Sequence, residues 1–190
     1  MKTIFISGCS GVGKTAIAKK VLHQKSEFEK VITCTTRTPR PGETDGVDYY
    51  FLSVKNFEKE KKAGAFLEWA EVYGNYYGTR QSELERIKKA GHVPLIVNDI
   101  QGSLRFQKIL PATERLLIFI KPKSLTQLKQ QIIDRHQNMS ATDLATRLKT
   151  AEKELVQAKK FDFQVVNRYG YLEETVTEII KIIDENVFLT

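Results

Sequence analysis

The chain has 190 residues, 41% hydrophobic and 28% charged, which suits one globular domain with small inserted lobes and is long enough to bury a core. No apolar run approaches the roughly 18 residues of a membrane span, no secretory signal opens the chain, and the two cysteines, Cys9 and Cys34, suggest neither a disulfide framework nor a metal site; a reducing compartment, the cytoplasm by default, is expected. Thirty Lys and Arg against 23 Asp and Glu give +7, a charge that attracts nucleic acids and small phosphorylated ligands alike.

A β-branched and aromatic run at 3–7 predicts a strand, and it breaks into Gly8-x-x-x-x-Gly13-Lys14-Thr15 before a helix over 14–24. In such a loop successive backbone N–H groups point into one concavity, and the helix N-terminus adds partial positive charge. Lys14 then reaches the β- and γ-phosphates of a nucleoside triphosphate, and Thr15 ligates Mg²⁺. Further strands are expected at 31–34, 93–97, 116–120 and 163–166. Helices are expected at 80–90, 102–108, 124–134, 141–160 and 172–186. In the helix over 141–160, Leu144, Leu148, Ala151, Leu155 and Ala158 share one face and read as core.

This alternation predicts an α/β fold, a three-layer parallel-sheet core around the P-loop, with ligands at the carboxyl ends of the strands. Residues 35–79 depart from it. Pro39, Pro41, Gly42, Gly46, Gly74 and Gly78 punctuate short aromatic runs and suggest an inserted β-rich lobe. Residues 134–142 are polar, lack apolar period and suggest a mobile segment. The expected organisation is a core from 1–34, 80–123 and 161–190, the lobe at 35–79, and a helical lid with connecting helices at 124–160.

Arg37 and Arg40 stand three apart around Pro39, which stiffens the turn and can aim two guanidinium groups at one phosphate. A phosphate monoester would dock there. Tyr49 and Tyr77 carry hydroxyls able to donate to phosphate oxygens, although aromatic residues in short strands are commonly core. His23, His92 and His136 are isolated, without metal-ligand spacing.

The stretches TTRTPRPGE (35–43), GVDY (46–49), FLEWA (66–70), GNYYGT (74–79) and DIQG (99–102), in this order behind the phosphate loop, resemble guanylate kinase over nearly the whole chain. The resemblance implies transfer of the ATP γ-phosphoryl to GMP (or dGMP) with Mg²⁺, and the lobe at 35–79 as the GMP-binding lobe. It implies ATP binding by Gly8, Ser10, Gly11, Val12, Gly13, Lys14, Thr15 and Asn167, the last near the donor base, with Thr15 as metal ligand. It implies GMP binding by Thr33, Arg37, Arg40, Tyr49, Glu68, Tyr77, Thr79 and Asp99. Glu68 is then the guanine reader, a carboxylate accepting from N1–H and the exocyclic amine. Lys14, Arg37 and the lid arginines Arg135 and Arg147 are the implied catalytic groups. The chain departs from the family at Val97, where many members carry a second acid, at His136 in place of a glycine, and at Arg168 in place of an acid. A guanylate-kinase-like protein-binding module without catalysis, or a P-loop kinase for another small phosphorylated acceptor, is the alternative. No nucleic-acid partner and a monomer or weak homo-oligomer are expected.

Overall fold

The computed structural model describes residues 2–72, 74–135 and 140–188. In chain order these form β1 (Thr3–Gly8), α1 (Lys14–Gln24), β2 (Phe28–Lys30), β3 (Cys34–Thr35), β4 (Tyr50–Phe51), α2 (Val54–Lys62), β5 (Phe66–Val72), β6 (Asn75–Arg80), α3 (Gln81–Lys89), β7 (Val93–Val97) and α4 (Ile100–Ile109). They continue with β8 (Arg115–Pro122), α5 (Leu125–Arg135), α6 (Ala141–Gln157), β9 (Phe163–Asn167) and α7 (Leu172–Ile183). Glu27–Ile96 make one compact unit, and the described residues before and after that span make another. Among the described residues no helix is long and apolar enough to cross a membrane.

In the unit formed by the two ends of the chain, β1 pairs in parallel with β8 from Thr3↔Arg115 to Gly8↔Ile120, and β8 pairs in parallel with β9 from Ile118↔Phe163 to Pro122↔Asn167. Parallel strands are covered on both faces and read as continuous apolar runs. Accordingly every residue of β1 is buried. Phe5 of β1 packs on Phe106 of α4 with ring centroids 4.7 Å apart, and Phe119 of β8 meets Phe161 edge-on at 5.1 Å. Helix α7 adds Val176, Ile179 and Ile183, all buried at three- and four-residue spacing. In α6 the expected apolar stripe is shallower: Ala151 is buried, whereas Leu144, Leu148 and Leu155 are half-buried. Of the polar stretch 134–142, Asp134 and Arg135 end α5 and Ser140 caps α6, its hydroxyl accepting from the Asp143 N–H at 3.1 Å; residues 136–139 lie outside the described residues.

The unit Glu27–Ile96 holds a parallel pair, β2 with β7, and a four-stranded sheet in the order β4-β3-β6-β5. The strand expected at 31–34 is divided. The Val31 N–H still donates to Leu95 O at 2.9 Å, but the next N–H, of Ile32, turns to the buried Glu83 carboxylate at 3.3 Å. Ladder pairing stops there and resumes in the other sheet as β3.

The expected β-rich lobe also contains a helix, α2. Its sequence, VKNFEKEKK, has only Val54 and Phe57 as apolar residues, and only Phe57 is buried, so no apolar run marks it. Ser53 starts it by accepting the Asn56 N–H at 3.1 Å, and Phe57 anchors it, fully buried and stacked between Phe66 (4.4 Å) and Tyr76 (5.2 Å). Arg80 at the end of β6 adds a forked ion pair to Glu60, at 2.7 and 2.6 Å. Replacing Phe57 by Ala removes the only large side chain that roots α2 in the lobe, and a loss of about 3–5 kcal/mol is expected. Urea titration followed by far-UV circular dichroism measures it, and a loss below about 1 kcal/mol would contradict this role.

Candidate active site

The phosphate loop begins where β1 ends. Gly8 has φ +147°, and a Cβ there would stand 2.1 Å from Ile120 O on the paired strand, so only glycine lets β1 lie against β8 and turn at this point. Gly13, at φ +99°, takes the left-handed conformation immediately before α1, and a Cβ on it would meet Asn167 Nδ2 at 2.9 Å. No acidic residue occupies the first turn of α1, which leaves the positive end of the helix dipole uncompensated for an incoming anion. Lys14 Nζ lies on the loop's own carbonyls, 2.7 Å from Gly8 O and 3.0 Å from Cys9 O. Thr15, next along α1, is exposed.

Helix α6 flanks this loop. Ala151 is buried and its carbonyl accepts from the Cys9 thiol at 3.8 Å. Arg147 and Glu154 stand one turn to either side on the same face. Glu154 escaped the sequence reading, since one more acid in a charged helix carries no signal. Its Oε2 is buried without a hydrogen-bond partner. Burial raises its pKa, while the Lys14 ammonium and the Ser10 N–H pull it down without cancelling the rise. Burial likewise pushes the Cys9 thiol up to about 12, with Glu154 adding to it, so Cys9 is a packing group and no nucleophile. The backbone of Arg135 closes α5; its side chain lies outside the described part of the structure.

Asp99 stands as expected beyond the carboxyl end of β7, but its Oδ1 caps α4 by accepting the Gly102 N–H at 2.8 Å. Asn167, expected near a donor base, has both polar side-chain atoms engaged inside the protein: Nδ2 donates to Val12 O at 2.7 Å, and Oδ1 accepts from Thr175 Oγ1 at 2.9 Å.

In the other unit, the arginine-bearing loop folds on carboxylates. Arg37 Nη2 contacts both Glu43 oxygens at 2.9 Å, its Nη1 donates to Thr38 O at 2.6 Å, and its guanidinium lies over the rings of Tyr49 (5.5 Å) and Phe51 (5.9 Å). The Arg40 N–H donates to Glu43 Oε2 at 2.7 Å. Burial alone would raise the Glu43 pKa, but the Arg40 N–H and the Arg37 guanidinium outweigh it and hold the carboxyl below its ordinary range. Tyr49 meets Tyr77 edge-on at 6.2 Å, and burial holds the Tyr49 phenol above its ordinary pKa, so it stays a donor. Arg37, Tyr49 and Tyr77 therefore converge; the Arg40 residue is exposed at the loop's edge.

Two residues beyond Tyr77 on the same face of β6, Thr79 is almost wholly buried and its hydroxyl lies 3.3 Å from Glu68 Oε1 across the β5–β6 pair. Thr33 adjoins through its backbone, its carbonyl accepting the Tyr50 N–H at 2.9 Å. Trp69 points away from Glu68, as strand period requires, and carries Lys61 Nζ 3.7 Å above its ring. It is not a stacking platform beside Glu68. Sequence reasoning also passed over Glu43, whose signal, an acid six residues from an arginine across a Pro-Gly turn, was available.

A P-loop at the carboxyl end of a parallel sheet, joined in one chain to an arginine–tyrosine cluster, defines a phosphate-handling α/β protein of the small-kinase class. The family profile described as guanylate kinase matches residues 1–186. A guanylate kinase of Clostridium perfringens is 42% identical over 93% of this chain and 79% of its own length, one of Thermus thermophilus 40% identical over 94% and 78%, and one of Bdellovibrio bacteriovorus 36% identical over 97% and 98%. The crystal structure of guanylate kinase from Anaplasma phagocytophilum superposes with a TM-score of 0.76 at 30% identity, covering 98% of this chain and 86% of that one. The chain belongs to the guanylate kinase family.

Because the folded state disfavours an ionised Glu154, stability is lost as pH rises from the ordinary carboxylate value of about 4.3 through the raised one. Glu154→Gln cannot ionise. It is expected to melt above the wild type at pH 8 and with it near pH 4, with each kcal/mol worth about 2–4 °C in a chain of this size. Equal melting temperatures at pH 8 would show that Lys14 fully compensates the charge.

Proposed function

We propose that this protein is a guanylate kinase that transfers the γ-phosphoryl group of ATP to GMP, giving ADP and GDP. The observation that carries the choice of acceptor is the face of β6, with Tyr77 beside Arg37 and Tyr49, and Thr79 bonded to Glu68. One end suits a phosphate monoester and the other a base edge that offers hydrogens. Guanine presents N1–H and an amine to a carboxylate; adenine would turn an acceptor nitrogen toward it. A sugar phosphate would leave Glu68 without a purpose.

On this reading Arg37 and Arg40 hold the acceptor phosphate with the phenols of Tyr49 and Tyr77, and Glu68, Thr79 and Thr33 read the base. Asp99 contributes the end of α4. Gly8, Ser10, Gly11, Val12 and Gly13 direct N–H groups at the donor phosphates, and Lys14 moves from the loop carbonyls to the β- and γ-oxygens. Arg147, and Arg135 from the lid, spread their charge over the transferred group. The acceptor phosphate is itself a nucleophile near neutral pH, so no general base is needed; positioning and electrostatic stabilisation supply the rate. The residues fit Mg²⁺: the exposed Thr15 hydroxyl is a hard oxygen donor beside the loop, and Mg²⁺ keeps water and substrate phosphates as its other ligands. An ion held there would supply positive charge against the negative charge of the phosphates.

A coupled assay of ADP formation with GMP, dGMP, IMP, AMP and ribose phosphates tests the reading. AMP and the sugar phosphates should lie near background, with IMP between AMP and GMP because it keeps N1–H and lacks the amine; rejection on this scale reaches roughly 10⁴-fold. Glu68→Gln should lose most GMP activity, since its amide presents a donor to a guanine hydrogen, and an undiminished GMP preference would move the base reader elsewhere. Lys14→Ala should lower kcat by at least about 10²-fold while calorimetric GMP binding stays nearly intact. Loss of both in step would break the division between donor and acceptor residues.

A further inference from the structure

We infer that Thr175 and Asn167 form a buried relay that fixes the Val12–Gly13 peptide of the phosphate loop, making both positioning residues for the triphosphate donor. The inference rests on the reading of that loop as the ATP site. Val12 O can only accept, so the Asn167 atom 2.7 Å from it must be the amide nitrogen. Oδ1 then faces α7, where the Thr175 hydroxyl stands at 2.9 Å. That hydroxyl has one hydrogen and a second acceptor, Tyr171 O, at 3.1 Å. Both partners are acceptors, and the contact to Oδ1 is the shorter, so the hydrogen is directed chiefly at Asn167. The bonds run in one direction, from α7 through the end of β9 to the loop.

The consequence for phosphate binding follows from peptide geometry. In a planar trans peptide the C=O and the following N–H point in opposite directions. Pinning Val12 O on Asn167 therefore aims the Gly13 N–H away from Asn167, at the foot of α1. Asn167 is itself held from α5, where Gln127 Nε2 donates to its carbonyl at 2.9 Å, and its side chain is 5% exposed. A Cβ on Gly13 would press on the same Nδ2 at 2.9 Å, so the left-handed turn and the relay fit one another. Thr175, 3% exposed, is placed to act on the loop through its hydrogen bond to Asn167.

Calorimetric binding of ADP and of inorganic tripolyphosphate, which has no base, tests the relay in the full chain. Thr175→Val keeps the shape and removes the donor; it should weaken both ligands by about 3- to 10-fold, the range for one lost hydrogen bond, and raise the ATP KM while the GMP KM stays within about two-fold. Thr175→Ser restores the donor and should restore both affinities, and Thr175→Ala, which removes the hydroxyl without adding a methyl, should reproduce the Val result. Wild-type affinity for both ligands in the Val and Ala variants overturns the relay. So does a loss confined to ADP, which would place Asn167 on the base. Failure of the wild type to phosphorylate GMP would instead sink the functional reading and leave the tripolyphosphate comparison standing.

Discussion

The close approach of Gly8 to Ile120 O governs the phosphate site. With 2.1 Å between a would-be Cβ and that oxygen, β1 keeps its parallel register to its last residue and the chain must leave the sheet there, at one level, into the loop. A polyanion is held by several N–H groups only if they share one concavity, and that requires a backbone turned repeatedly through conformations that side chains resist. Gly13 supplies the last of these turns, and the helix that follows begins without an acid to blunt its dipole. The fold below is the means of holding this strained path: a sheet buried on both faces and a helix, α7, packed through Val176, Ile179 and Ile183.

Both units place a carboxylate against the cations that the proposal assigns to phosphate. Glu43 grips the Arg37 fork, and Glu154 faces Lys14 from α6. The two differ in character. Glu43 is ionised and satisfied, so it fixes the direction of a guanidinium that would otherwise sample many rotamers, a cost that binding would then have to meet. Glu154 is half-satisfied and disfavoured in its charged form, which marks the loop as a place where stability is given up for electrostatics.

The legible parts of the sequence were those whose cause is local. The phosphate loop is written in eight consecutive residues, and buried strands such as 93–97 and 116–120 announce themselves by unbroken apolar runs. The lobe was legible only as punctuation: its glycines, prolines and aromatics indicated short strands, while α2, rooted by one phenylalanine among charged residues, has too few apolar residues to announce itself. The strand expected at 31–34 divides because a buried glutamate from α3 captures one N–H, an event 51 residues away in sequence. Asn167 shows the same limit at the site, since its partner Val12 is 155 residues distant. Resemblance could mark it as important and could not say which of its atoms acts, or on what.

The protein-binding alternative has a physical counterargument in the same residues. A surface that only docks another protein gains nothing from a glycine jammed against a carbonyl, a left-handed turn, a helix start stripped of acids and a lysine folded over loop carbonyls. The two glycine turns and the acid-free helix start gain the fold nothing by themselves, and all lie within residues 8–15 with the lysine. Local rules broken together at one place, with the surrounding sheet and helices obeying them, mark a site whose compensation comes from its ligand. A chain of phosphates, the ligand proposed for this loop, uses every one of these features at once.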